Sequence, residues 1–338
     1  MFVAWRDLRF AKGRFALMGT VVVLMTLLVG LLSGLTSGLA EKSTSAITGL
    51  AADHLVFADP GSGSLSFGQS TVTREQAEQY ARMPGVTSAE PIAISTASAA
   101  AGERTATLAA FGVRNSRPGT VVLSTSAADA LKAREGDQLT LQGQKVTVSA
   151  IDGDASYSHL PVVWTHFAGP NATVLAVAAD SSADLSAADA RLGTRTVTKD
   201  DALSAIGSYS AENGSLQLMR GFLFVISALV IGAFFTVWTI QRSRDIAVLK
   251  ALGATTKYLL RDALGQAVVL LIGGTALGTG LAAALGAVAS ETVPFVLSVG
   301  TLLGPAAVLV VLGVLGAALA VRRITSVDPL TALTSGAH

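Results

Sequence analysis

The chain has no cysteine among its 338 residues. Disulfides, iron–sulfur clusters and thiolate metal sites are therefore excluded, and any domain lying outside the cytoplasm must be held by its own core. Charge is scarce as well. Only 14% of the residues are Asp, Glu, Lys or Arg, where a soluble chain carries about a quarter. A net charge of +1 offers no electrostatic footprint for nucleic acid. No G-x-x-x-x-G-K-[ST] occurs, so the chain cannot cradle ATP phosphates in a P-loop, and neither H-E-x-x-H nor G-x-S-x-G is present. The histidines His54, His159, His166 and His338 lack local metal spacing. His159 and His166 alone stand near enough in sequence to approach each other, and surface or strand-edge roles compete with a metal site there. The long apolar runs contain no carboxylate of the kind a proton-coupled carrier buries. These absences argue against an enzyme and against an ion-coupled transporter.

What the chain does have is apolar sequence in blocks. Mean hydropathy is +0.56, concentrated in the first forty positions and after Gly221. Residues 1–14, MFVAWRDLRFAKGR, form a basic amphipathic start suited to a lipid interface. Residues 15–39 carry no charge and, at ~1.5 Å per residue, are long enough to span the ~30 Å hydrocarbon layer. Gly38-Leu39-Ala40 faintly resembles a signal cleavage site, but a signal's apolar core runs only about 7–15 residues. Further spans are expected at 220–240, with Trp238 as an interfacial aromatic, at 265–290 and at 301–321. The third contains Gly274-x-x-x-Gly278, a pattern that permits close helix approach. Basic residues cluster at 6–14, 242–261 and 322–323, and the 291–300 loop has none. By the positive-inside rule both termini, including the 322–338 tail, are expected in the cytoplasm and residues 40–219 outside it.

Residues 40–219 have a different composition, rich in Ser, Thr, Ala, Asp and Gly. Short β-branched runs predict strands at 54–58, 121–124, 139–141, 146–151 and 174–178. Helices are expected at 74–83, with Thr73 as N-cap, and at 126–134. The fold class is thus an α-helical membrane protein of four transmembrane helices with an inserted extracytoplasmic α+β domain.

Between the second and third spans lies QRSRDIAVLKALGATTKYLLRDAL, residues 241–264. Its charge marks a cytoplasmic loop, and Ile246, Val248, Leu249 and Leu252 have loose helical spacing. A short amphipathic helix at the membrane base suits docking to a soluble partner; a topology anchor without a partner fits equally.

This segment, the Gly-rich span after it, the Arg322-Arg323 and Asp328-Pro329-Leu330 ending, and the external run GTVVLSTSAADALKAREGDQLTLQGQKVTVSAI resemble the FtsX/MacB-type permeases of ABC transporters. The order of one span, a large external domain and three spans is similar too. The resemblance implies a homodimer in the cell membrane, docked through Arg242, Arg244, Asp245, Lys250, Ala251 and Gly253 onto two copies of a separate ATPase. ATP would bind to that partner. The permease would be non-catalytic and would work by mechanotransmission. WRDLRFAKGRFALMG and LLSGLTSGLAEKSTSAI are similar to the haem-export members of the family, which implies haem as cargo, with no intrinsic cofactor and no bound metal besides haem iron. A membrane-dissolved haem needs an apolar slot, an axial ligand and a partner for its propionates. The candidates are Met25, Val29, Ser33, Glu41, Tyr209, Met219, Arg220 and Phe222, with Met219 or Met25 facing iron and Arg220 a propionate. Packing and interfacial anchoring account for the same residues. Export of a peptide, lipoprotein or antibiotic, ATP-driven control of an external cell-wall hydrolase, and a two-component-linked sensor are the alternatives.

Overall fold

The structure, a computed structural model, describes residues 12–241, 248, 253 and 255–325. The chain divides into two compact units, residues 39–214 and the segments on either side of them.

The flanking unit is helical. Helices α1 (Lys12–Thr48), α6 (Gly207–Gln241), α7 (Thr256–Ala289) and α8 (Val299–Thr325) are all long and apolar enough to cross a membrane. In α1, Met18, Val22, Thr26, Val29 and Ser33 are buried, at intervals of three and four that put them on one stripe. That stripe meets a small-residue face of α7. A Cβ added to Gly274 would lie 2.8 Å from a Val22 methyl, and one added to Gly278 would lie 2.6 Å from the Val23 carbonyl oxygen. Farther along, Gly30 faces Ala282. The Gly274-x-x-x-Gly278 pattern is therefore used inside the chain, to let α1 and α7 touch backbone to side chain. At the other end of α7, Phe295 wedges its ring against both Gly34 and Gly286, the Pro294 carbonyl crosses Gly38, and Val296 donates to the Gly34 carbonyl. A second cluster joins Met18 and Val22 to Ile231, Phe235, Trp238, Ala267, Leu271 and Ala317. Trp238 is only 7% exposed, so it packs the bundle interior, edge-on to Phe235, and is not the interfacial aromatic its position near a span end suggests.

The inserted unit is α+β. Its strands are β1 (His54–Ala58), β2 (Val72–Thr73), β3 (Val86–Ala101), β4 (Arg104–Val113), β5 (Thr120–Leu123), β6 (Gln138–Leu141), β7 (Gln144–Ile151), β8 (Ser156–Tyr157), β9 (Leu160–His166), β10 (Asn171–Ala172), β11 (Val174–Ala179) and β12 (Thr194–Thr198). Its helices are α2 (Arg74–Ala81), α3 (Thr125–Leu131), α4 (Leu185–Leu192) and α5 (Lys199–Ala202). The main sheet runs β12-β1-β11-β3-β4-β9-β5-β7-β6, and β6 pairs back onto β3. From β3 round to β6 the strands thus close on themselves, which removes two edges. The 16-residue β3 serves both halves: its first part pairs with β11 and its end with β6.

The closed half encloses Ala97, Ala99, Leu108, Leu123, Leu139, Val148 and Val163, covered by Ala127 and Leu131 of α3. Each buried Leu or Val stabilises by about 1.5–3 kcal/mol relative to exposure. In the open half the strand period of two separates the faces. Val56, Leu175 and Val177 pack under α2 and α4, while Leu55, Phe57 and Ala176 face the opposite cluster with Ile47 and Ile206. Helix α2 starts as expected: Thr73 and Gln76 form a reciprocal capping box.

A buried and a half-buried tyrosine give the unit an alkaline limit. Burial is the main cause that pushes the hydroxyls of Tyr80 and Tyr157 up to about 12. A group whose folded pKa is raised contributes stability that is complete below its unfolded value near 10 and is lost as pH rises towards 12. Thermal melts are expected to hold steady to about pH 10 and fall steeply from there to pH 12. The Tyr80→Phe/Tyr157→Phe double variant should flatten that fall; an unchanged profile would mean other groups set the limit.

Candidate functional site

The site residues divide between the two units. In the helical unit, Met25 accepts a hydrogen bond from Ser227 Oγ at 3.6 Å, which sets the two side by side on α1 and α6. Ser227 is fully buried. Met219 and Phe222, three residues apart at the start of the apolar part of α6, are 50% and 64% exposed. Arg220 lies between them and extends its guanidinium over the Phe224 ring at 5.9 Å, a cation–π contact that holds the cation on an apolar surface. Eight residues separate Met219 from Ser227, about 12 Å of helix. Met25 and Met219 of one chain therefore sit at different depths. Val29 and Ser33 are 0% and 1% exposed, on the α1 stripe that faces α7. Ser33 and Thr26 hold buried hydroxyls without a hydrogen-bond partner among the described residues.

In the inserted unit, Glu41 is exposed on α1 and Tyr209 packs against the cluster containing Ile47 and Ile206. A polar constellation near α1 is one the sequence did not reveal. Lys42 forms a 2.9 Å ion pair with Asp154, and Asp154 also accepts from the hydroxyl of Ser126. The Ser126 hydrogen bond and the Lys42 charge hold the Asp154 carboxyl below its ordinary range, against the opposing and largest influence of partial burial. Beside the next residue of α1, His159 Nε2 lies 3.0 Å from Ser43 Oγ and 3.0 Å from a Glu212 carboxylate oxygen. His159 and Ser158 both have positive φ, 64° and 51°, which costs a non-glycine residue about 1 kcal/mol or more. His166, at the far end of β9, bonds the Ser116 carbonyl. The two histidines thus take separate partners. No cluster of three or more His, Asp or Glu with metal-holding geometry occurs among the described residues.

Two family models match the chain. The MacB-like periplasmic core domain covers residues 16–195 and the FtsX-like permease C-terminal domain covers residues 218–329. This chain belongs to the MacB/FtsX family of ABC transporter permeases. The permease is similar over its whole length to the hemin transport system permease protein HrtB of Staphylococcus epidermidis, 25% identical over 99% of this chain and 100% of that one. It is 30% identical to the pyoverdine export ATP-binding/permease protein PvdT of Pseudomonas fluorescens, over 42% of this chain and 22% of that one. Among solved structures, the periplasmic region of MacB from Actinobacillus actinomycetemcomitans matches with a TM-score of 0.35 and 14% identity, over 46% of this chain and 92% of that one.

Of the residues expected to dock an ATPase, Arg242, Arg244, Asp245, Lys250 and Ala251 lie outside the described residues. Gly253 does not, and its φ of +94° is one that a side chain would strain. Thr255 then caps α7 by accepting from the Tyr258 N–H, so the permease's third span begins as a continuous helix directly after this turn.

Proposed function

We propose that this permease is the membrane subunit of a dimeric ABC exporter that extracts haem from the membrane and expels it outward, driven by a separate ATPase bound at residues 241–264. Full-length similarity to a protein named for hemin transport carries the cargo assignment. The placement of residues on α1 and α6 supports it. Met25 presents a thioether at the level of Ser227, and Arg220 stands seven residues nearer the inserted unit along α6, about 10 Å. A planar amphipathic cargo lying along α6 would be met by sulfur at one end and by a cation at the other, with Met219 and Phe222 supplying exposed apolar surface. Val29 and Ser33 follow Met25 at intervals of four along α1, towards its buried stripe. The proposed topology puts both termini in the cytoplasm and residues 40–219 outside. The chain contributes no catalytic residue.

A titration decides the cargo. The permease, purified with its ATPase in detergent, should shift the Soret band of haemin saturably, and haemin should stimulate ATP hydrolysis. Arg220→Ala is expected to weaken haemin binding about tenfold, in line with loss of a charge-assisted contact worth ~1.5–3 kcal/mol. Absence of any saturable shift would eliminate haem. Similarity to a pyoverdine export protein favours a second reading, in which the same machine moves another cargo, such as a peptide, lipoprotein or antibiotic; ATP hydrolysis stimulated by such a molecule and indifferent to haemin would select it. The docking role is read separately, by whether Gly253→Asp abolishes co-purification of the ATPase.

A further inference from the structure

The turn joining β8 to β9 consists of only two residues, Ser158 and His159, both in the left-handed region. Such two-residue turns favour Asn-Gly or Gly-Gly because their backbone requires positive φ. Here neither position is glycine, and each side chain makes a contact that glycine would forfeit. Ser158 Oγ meets Ser208 Oγ of α6 at 2.8 Å. His159 Nε2 meets Ser43 of α1 and the Glu212 carboxylate of α6, both at 3.0 Å. The two N–H groups of the turn donate to α1 as well, Ser158 to the Ser43 carbonyl at 3.0 Å and His159 to the Lys42 carbonyl at 3.1 Å. Just before the turn, the Ser156 N–H donates to Ser45 Oγ. One strained turn is thus bonded to two helices that are distant in sequence. Strain retained where a relaxed alternative exists points to a use for the side chains.

We propose that the Ser158–His159 turn is a mechanical joint that holds the extramembrane parts of α1 and α6 at a fixed spacing and passes displacement of either helix into β9. Strand β9 is suited to receive it. It lies inside the sheet, bonded to β4 on one side and β5 on the other, so a pull on its first residue is shared by the closed half of the unit. The joint does not depend on cargo; only its consequence for transport rests on the exporter reading.

Because the chain is free of cysteine, spin labels can be placed at will. Thr48→Cys on α1 and Ala211→Cys on α6, both exposed, would report the helix spacing by pulsed electron resonance on the full chain in nanodiscs. With the native turn we expect one narrow distance peak. Ser158→Gly/His159→Gly keeps a favoured turn and removes both side-chain ties, and should at least double the width of that peak. Should that chain not fold, Glu212→Ala in the same labelled background removes the His159–Glu212 tie alone and should still broaden the peak. An unchanged width in the folded variants would overturn the joint. In the exporting complex, the Gly–Gly variant should keep ATP hydrolysis within about twofold while cargo released per ATP falls about tenfold; an unchanged ratio would also refute it. If the native complex exports nothing, the exporter reading fails while the distance measurement still decides the joint.

Discussion

Gly278→Leu is expected to lower the thermal midpoint of the detergent-solubilised permease by roughly 10 °C, whereas Gly280→Leu, two residues on, should leave it within about 2 °C. A Cβ at 278 would lie 2.6 Å from the Val23 carbonyl oxygen and 2.7 Å from the Thr26 Cβ. The first of these is backbone and cannot rotate aside. A leucine there must push α1 away from α7, and the neighbouring contacts of Gly274 with Val22 and of Gly30 with Ala282 separate with it. Overpacking of one well-filled site costs about 1–3 kcal/mol; prying apart a continuous seam adds lost dispersion on both sides, so about 3–4 kcal/mol is expected. At roughly 2–4 °C per kcal/mol for units of this size, that gives the stated shift. Among the described residues position 280 has nothing within 4 Å of an added Cβ, so the same side chain on the same helix tests the contact and not the helix propensity. Equal melting of the two variants would mean that α1 and α7 do not meet along this face.

The pattern behind this seam was half legible. Gly274-x-x-x-Gly278 announces close approach, but spacing alone does not say to what. The partner is the α1 stripe, whose Gly30, Gly34 and Gly38 repeat at the same interval and receive Ala282, Phe295 and Pro294 in turn. Trp238 shows the opposite limit. Its place near a span end suggests an interface, yet α7 and α8 bring Ala267, Leu271 and Ala317 around it, and no local pattern encodes which face of α6 those helices cover.

In the inserted unit, strands rich in Val and Leu, such as β1, β7 and β11, read plainly. The longest, β3, did not. Its sequence VTSAEPIAISTASAAA is mostly Ala, Ser and Thr, with weak β-propensity and little hydrophobic contrast. It is extended because three partners bond to it, β11, β4 and β6, a reason that exists only in the assembled sheet. The small side chains also have a physical role, since Ala97 and Ala99 point into the closed half, where larger residues would not fit. The fold class survives this omission because composition and block structure set it. The Ser43, His159 and Glu212 cluster does not survive sequence reading at all: its members lie 116 and 53 positions apart, and the turn that joins them lacks the glycine that marks such turns.

Asp189→Ala should damage the inserted unit severely for a polar substitution, and the comparison with Tyr80→Phe explains why. Asp189 Oδ1 accepts from Tyr80 OH at 2.7 Å, from Thr194 Oγ1 at 2.8 Å and from Thr196 Oγ1 at 2.9 Å, while Oδ2 accepts from the Thr196 N–H. One carboxylate on α4 thus fixes α2, through Tyr80, to β12. Tyr80 is 0% exposed and Thr194 4%, so their donors cannot turn to water when the acceptor is removed. Each stranded donor costs about 1–3 kcal/mol. Tyr80 and Thr194 can still bond each other at 2.7 Å, which limits the total to about 3–4 kcal/mol. Tyr80→Phe deletes a donor but leaves the carboxylate its Thr194 and Thr196 partners, and should cost about 1 kcal/mol. Asp189→Asn should fall between them, since one acceptor oxygen remains but the amide nitrogen cannot accept from the Thr196 N–H. Denaturant melts of the three variants would give this order: Ala, then Asn, then the Tyr80 variant. If Tyr80→Phe proved as costly as Asp189→Ala, the buried ring's own hydroxyl, and not the carboxylate, would be the centre of the network.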